Sequence, residues 1–249
     1  MPYDQDNPLR LAMWSPPRAR STMMMRCFEA MGCAVYDEPF YPYWLRTLNK
    51  TDDPGYAETM AAHETDWRKI VPMILGPVPE GRSIYYQKHM AIHMLEEVDL
   101  SWMNQMCNCF LIRHPAEVIN SMKKKRVITA EMVGIPQLVR IFNLAKNIWG
   151  GIPPVIDAND VLENPEEVLR AFCARVGMPK PDFPLSWAPG KHPYDGAWAD
   201  AWYSEVYGTT GLGAYSPKPQ VVESHHQSVL EECMAVYQEL FKYRITGDS

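Results

Sequence analysis

Leu9-Arg-Leu-Ala-Met-Trp-Ser-Pro-Pro-Arg-Ala-Arg-Ser-Thr22 decides the fold. An apolar run over residues 9–14 leads into a tight Pro-Pro turn. Two hydroxyls then open a segment whose spacing predicts a helix over 21–31, capped by Ser21 and stopped at Gly32. Backbone N–H groups at such a strand–loop–helix junction lack intrahelical partners, and the helix dipole adds partial positive charge. Arg18 and Arg20 stand at the helix end where the dipole disfavours cations, a conflict that a bound anion removes. Their guanidinium groups, with Ser21 and Thr22, suit phosphate oxygens.

Outward from this loop, short apolar runs at 34–36, 83–87, 109–112 and 155–156 read as further buried strands. Each precedes polar residues and then a segment with helical spacing, which argues for an α/β fold with a parallel sheet between helix layers. Helices are predicted over 115–125, 137–149, 165–176 and 221–243. The first opens on Pro115 and ends in the basic run 123–126; the third has Asn164 as its cap and Gly177 beyond its end. Residues 179–219, rich in Pro, Gly, Trp and Tyr, read as a long lid or wrap, and 76–81 as a connector. The 249 residues are therefore read as one domain, with a nucleotide-binding core over 9–178 and a wrap with a last helix over 179–249.

A net charge of −6 speaks against a broad nucleic-acid or anionic-membrane surface while leaving room for a local basic site. No apolar run approaches the ~18 residues of a membrane span. The polar, acidic start does not resemble a secretory signal, so the six cysteines are expected to be reduced thiols in the cytoplasm. No metal is expected: Cys107-x-Cys109 lacks a partner pair at zinc spacing, and His225-His226 reads as surface.

Ser15-Pro-Pro-Arg-Ala-Arg-Ser-Thr22 resembles the 5′-phosphosulfate loop of the P-loop sulfotransferase superfamily, which typically reads Pro, Arg or Lys, small, Gly, Ser/Thr, Thr. The resemblance implies a three-layer α/β/α fold of the P-loop-containing nucleotide hydrolase type. It also implies transfer of a sulfuryl group from 3′-phosphoadenosine 5′-phosphosulfate (PAPS) as co-substrate. Pro17, Arg18, Ala19, Arg20, Ser21 and Thr22 would then hold the 5′ side, with Arg18 in the place of the catalytic basic residue. Arg20 stands where glycine is usual, which leaves open whether Arg18 or Arg20 meets the sulfuryl group. Cys109-Phe-Leu-Ile-Arg-His-Pro-Ala-Glu-Val-Ile-Asn-Ser121 resembles the family's 3′-phosphate segment, in which a strand-end arginine and a serine eight positions later bind the phosphate; Arg113 and Ser121 have that spacing. Residues 155–179 resemble an architectural segment of the family, and Lys191 matches a late basic loop that folds over the 3′-phosphate.

Sulfuryl transfer needs a base for the acceptor proton and positive charge on the leaving oxygen. Glu38, after the strand at 34–36, resembles the base of bacterial carbohydrate sulfotransferases. His89 matches the base of other branches, with His93 a third choice and Lys88 beside it to neutralise oxygens. The acceptor is expected to be a hydroxyl or amine of a small molecule or carbohydrate; Trp187, Trp198, Trp202, Tyr203 and Tyr207 in the late wrap, with Phe40, Tyr41, Tyr43 and Trp44, are candidates to line its pocket, about half of them expected in the core. The expected partners are nucleotide donor and acceptor, with a homodimer left open. A P-loop small-molecule kinase and a non-catalytic nucleotide-binding module are the rival readings; the former lacks Gly-x-x-x-x-Gly-Lys-Ser/Thr.

Overall fold

The computed structural model describes residues 8–122, 127–179 and 184–247. Five strands, β1 (Leu9–Ser15), β2 (Ala34–Asp37), β3 (Ile84–Met90), β4 (Cys107–Ile112) and β5 (Val155–Asp157), form one sheet in the order β2-β3-β1-β4-β5. Every pairing is parallel. The helices are α1 (Ser21–Ala30), α2 (Tyr41–Thr47), α3 (Tyr56–Ala62), α4 (Trp67–Leu75), α5 (Pro115–Ser121), α6 (Ala130–Val133), α7 (Ile135–Trp149), α8 (Ala158–Glu163), α9 (Pro165–Val176), α10 (Ala199–Trp202), α11 (Ser204–Tyr207) and α12 (Gln227–Phe241).

Strand alternation explains the three layers. Leu9, Leu11 and Met13 of β1 point to one face and pack with Met24, Met25 and Phe28 of α1 and Leu169 and Phe172 of α9. Ala12 and Trp14 point to the other, against Ile70 and Ile74 of α4, Ile141 and Phe142 of α7 and Leu240 of α12. Both faces are covered, so β1 reads as continuously apolar from Leu11 to Trp14. Each large side chain buried there stabilises the fold by about 1.5–3 kcal/mol.

All five expected strands form: β1, β2, β3 and β5 run one to three residues further than expected, β4 begins two residues earlier, and β3 starts at Ile84 rather than Ser83. Three details differ from expectation. Arg20, not Ser21, is the N-cap of α1 and makes no side-chain cap bond. The last helix starts at Gln227 rather than 221, because the Val221 carbonyl accepts from Asn120 Nδ2 (2.9 Å) and Val222 packs beside Val118 and Ile119. His226, expected at the surface, is buried while His225 is exposed. Helix α5 is described as far as Ser121, and the basic run 123–126 lies outside the described residues. Among the described residues no helix is long and apolar enough to cross a membrane. All six cysteines are free and buried.

Candidate active site

The loop between β1 and α1 is built from unusual backbone. Arg18 (φ 62°) and Arg20 (φ 64°) both adopt the left-handed conformation. For non-glycine residues this costs roughly 1–2 kcal/mol each, and such strain clusters at ligand sites. Arg20 thus takes the backbone shape that glycine adopts cheaply. Alternating left-handed residues turn successive N–H groups into a concavity suited to an anion. Met24 N–H closes the first helical bond onto the Arg20 carbonyl, so the N–H groups of Ser21, Thr22 and Met23 lie ahead of the ladder. Arg18 is exposed, Pro17 half-buried and Ala19 fully buried as the loop's anchor. Arg20 Nε is buried with no hydrogen-bond partner. Burial, and then the neighbouring Arg113, lowers its proton affinity.

Beside the loop lies a buried charge cluster. In the parallel register Asp37 stands opposite Lys88, which brings both to the carboxyl edge of the sheet. The Lys88 ammonium, fully buried, donates to Thr22 Oγ1 (2.9 Å), Asp37 Oδ1 (2.9 Å) and the Tyr203 hydroxyl (2.5 Å), and lies 2.6 Å from Glu38 Oε1. Three ammonium hydrogens thus face four oxygens. Glu38 itself has a left-handed backbone (φ 39°), which turns its carboxylate back toward the lysine. Burial, offset by Lys88 and reinforced by Asp37, raises the proton affinity of Glu38. Burial alone would discharge Lys88, but Asp37 and Glu38 outweigh it and hold the ammonium well above its ordinary range. His93 Nε2 lies 3.8 Å from Glu38 Oε2, its ring beside both Tyr41 and Trp44; burial and then Lys88 lower its pKa to about 3.

On the other side of the loop, Arg113 at the end of β4 donates to Glu117 Oε2 through Nε (3.0 Å) and Nη2 (2.8 Å), and to the Arg18 carbonyl through Nη1 (2.7 Å). Glu117 is itself fixed by Asn159 Nδ2 (2.9 Å). Arg113 and Ser121 line one open cleft of about 550 Å³, together with Asn120 and Lys218. Pro115 opens the intervening helix, whose N-cap His114 accepts from the Ala116 N–H through Nδ1 (3.3 Å).

Two sequence candidates are placed elsewhere. His89 follows Lys88 on β3 and so points to the opposite face. It lies among Trp14, Phe40 and Trp102, its Nε2 on Gln87 Oε1 (3.1 Å), with burial lowering its pKa to about 3. A base role there is at odds with this apolar surrounding. Lys191 is paired with Asp200 (2.7 Å) and does not line the cleft, where Lys218 stands instead. Sequence reasoning missed Lys218 because a lone lysine between prolines carries no signal. Asp37 and Tyr203 were visible only as a neighbour of Glu38 and as one aromatic among many.

These features define the class: a three-layer α/β protein whose polar groups converge at the carboxyl edge of a parallel sheet, where such folds bind ligands. The chain belongs to the sulfotransferase domain family, which it matches over residues 9–244. It is also similar to two proteins of Arabidopsis thaliana. Branched-chain-amino-acid aminotransferase-like protein 2 is 31% identical over 227 residues, covering 90% of this chain and 40% of that protein. Branched-chain-amino-acid aminotransferase-like protein 1 is 30% identical over 226 residues, with the same coverage. The chain thus spans less than half the length of these curated relatives. Family membership supports sulfuryl transfer as the general activity.

Proposed function

We propose that the protein transfers the sulfuryl group of PAPS to a hydroxyl or amine of a small-molecule or carbohydrate acceptor. The observation that carries this reading is the double attachment of Lys88, whose ammonium binds Thr22 of the loop and touches Glu38 at once. It sets a proton acceptor one side chain away from the loop assigned to the 5′-phosphosulfate. The orphaned Arg20 Nε and the two left-handed arginines fit an anionic group at that loop. In this reading Arg113, Ser121 and Lys218 hold the 3′-phosphate.

With a hydroxyl acceptor, the Glu38 carboxylate takes the proton as the acceptor oxygen bonds to sulfur. The bond from sulfur to the bridging oxygen breaks, and its electron pair stays on the 5′-phosphate. Lys88 and the loop arginines offset the charge that develops there. 3′-Phosphoadenosine 5′-phosphate (PAP) leaves, and Glu38 returns its proton to water. Burial in the low-dielectric cluster raises the basicity of Glu38 toward the range useful at neutral pH. The test is thermal unfolding with PAP, adenosine 5′-phosphate and ATP–Mg²⁺, followed by release of PAP from PAPS. Stabilisation by PAP above the other two is expected; stabilisation by ATP–Mg²⁺ alone would overturn the proposal in favour of phosphoryl transfer.

A further inference from the structure

Residues 195–203 reach from the wrap onto the Lys88 cluster and are fastened at every step. Asp195, its side chain fully buried, accepts two hydrogen bonds of 2.7 Å from Arg26 Nη2 of α1. The Gly196 N–H donates to Asp37 Oδ2 (3.2 Å), and a Cβ at 196 would stand 2.2 Å from the Trp198 indole, so only glycine brings that N–H in. The Ala197 N–H donates to His63 Nε2 (3.1 Å). Tyr203 ends the strap with its hydroxyl 2.9 and 2.8 Å from the two Asp37 oxygens, 2.5 Å from Lys88 Nζ and 3.5 Å from Glu38 Oε1.

A phenol has one hydrogen to give. Lys88 can only donate to Tyr203, so the phenol's hydrogen is free for Asp37, which then holds donors from Tyr203, Gly196 and Lys88. Three donors fix the orientation of the Asp37 carboxylate. Glu38 shares Lys88 but receives no such set. We infer that Tyr203 is a positioning residue for the transfer reaction: by donating to Asp37 it holds that carboxylate in place against Lys88 and leaves Glu38 as the group that exchanges the proton. This rests on the function proposed above. Burial, then Asp37, keeps the phenol protonated as the role requires. The other ionisable groups around the pair are His93 after β3 and Tyr41 of α2 beside Glu38, and His63 after α3 near Asp37. His93 and His63 have lowered proton affinity through burial, and burial and then Asp53 raise that of Tyr41.

The test compares wild type, Tyr203→Phe and protein carrying 3-fluorotyrosine at 203, a stronger donor with the same shape. Side-chain carboxyl ¹³C NMR, assigned with Glu38→Gln, follows the Glu38 carboxyl against pH, and release of PAP from PAPS with water as acceptor follows turnover. Tyr203→Phe draws Lys88 toward Asp37 and should raise the Glu38 midpoint, lower kcat roughly tenfold, and leave KM for PAPS unchanged; 3-fluorotyrosine should move the Glu38 midpoint down. Unchanged midpoints in both proteins would overturn the inference, and the fluorinated protein decides if the phenylalanine variant does not fold. Wild type that neither binds PAP nor consumes PAPS would instead defeat the proposed function, a failure separate from the NMR readout.

Discussion

The two flanks of the loop after β1 are built oppositely. The Arg113 cleft is open, walled by Ser121 and Lys218 at the surface, with Arg113 and Lys218 beside the carboxylates of Glu117 and Glu223. The Lys88 cluster is dry and closed, with Lys88, Asp37 and Glu38 almost wholly buried under Tyr203 and Trp198. A binding site for a charged group can be open because fixed cations need little support from their surroundings. A proton-exchanging site gains from burial, which makes its groups sensitive to one another.

The sharpest way to break this contrast is to remove a cation from each side. Lys88→Ala leaves two buried carboxylates uncompensated and should cost about 3–5 kcal/mol of stability, the scale of a broken buried ion pair, together with turnover. Urea unfolding measures it, and a loss near that of an exposed pair would mean the cluster is not dry. Glu38→Gln keeps the shape and should lower turnover by about 10²–10⁴-fold, the usual contribution of a positioned base, while PAP affinity stays within about twofold, since no atom of Glu38 reaches the cleft. Turnover that survives this change and disappears with His93→Ala would move the base to His93. In wild type, turnover should fall as pH drops through the raised pKa of Glu38, because the protonated carboxyl cannot accept the acceptor's hydrogen.

A smaller effect separates the two faces of β3. His89 is neutral in the folded protein, its pKa depressed to about 3 by burial against an ordinary value of 6.5. Its stabilising contribution is complete above pH 6.5 and is lost as pH falls toward 3, because unfolding lets it take up a proton. Between pH 6.5 and 5 that loss is about 2 kcal/mol. His89→Phe should flatten the dependence of unfolding free energy on pH in this range. An unchanged slope would place His89 in contact with water rather than among Trp14, Phe40 and Trp102.

Much of this architecture was legible because it rests on periodicity. β1 could be placed by its apolar run from Leu11 to Trp14, α9 by Pro165 and Gly177, and the Arg113–Ser121 pair by its spacing across Pro115. The helices between β2 and β3 were not, since α2 and α4 are short and carry prolines at Pro42 and Pro72. The site was readable where one segment supplies it, as in the loop from Ser15 to Thr22. It was not readable where the chain returns from far away. Tyr203 meets Asp37 from 166 positions off, and no local pattern marks which aromatic of the wrap makes that return. His89 misled because adjacency in sequence on a strand means opposite faces in space.

In the function proposed above, one nucleotide is held by phosphates at both ends. Calorimetric titration of wild type and Arg113→Ala with PAP and with adenosine 5′-phosphate tests it most directly. Arg113→Ala should weaken PAP by roughly 10–100-fold, the worth of a charge-assisted hydrogen bond, and leave adenosine 5′-phosphate nearly untouched. Equal losses for the two ligands would contradict it.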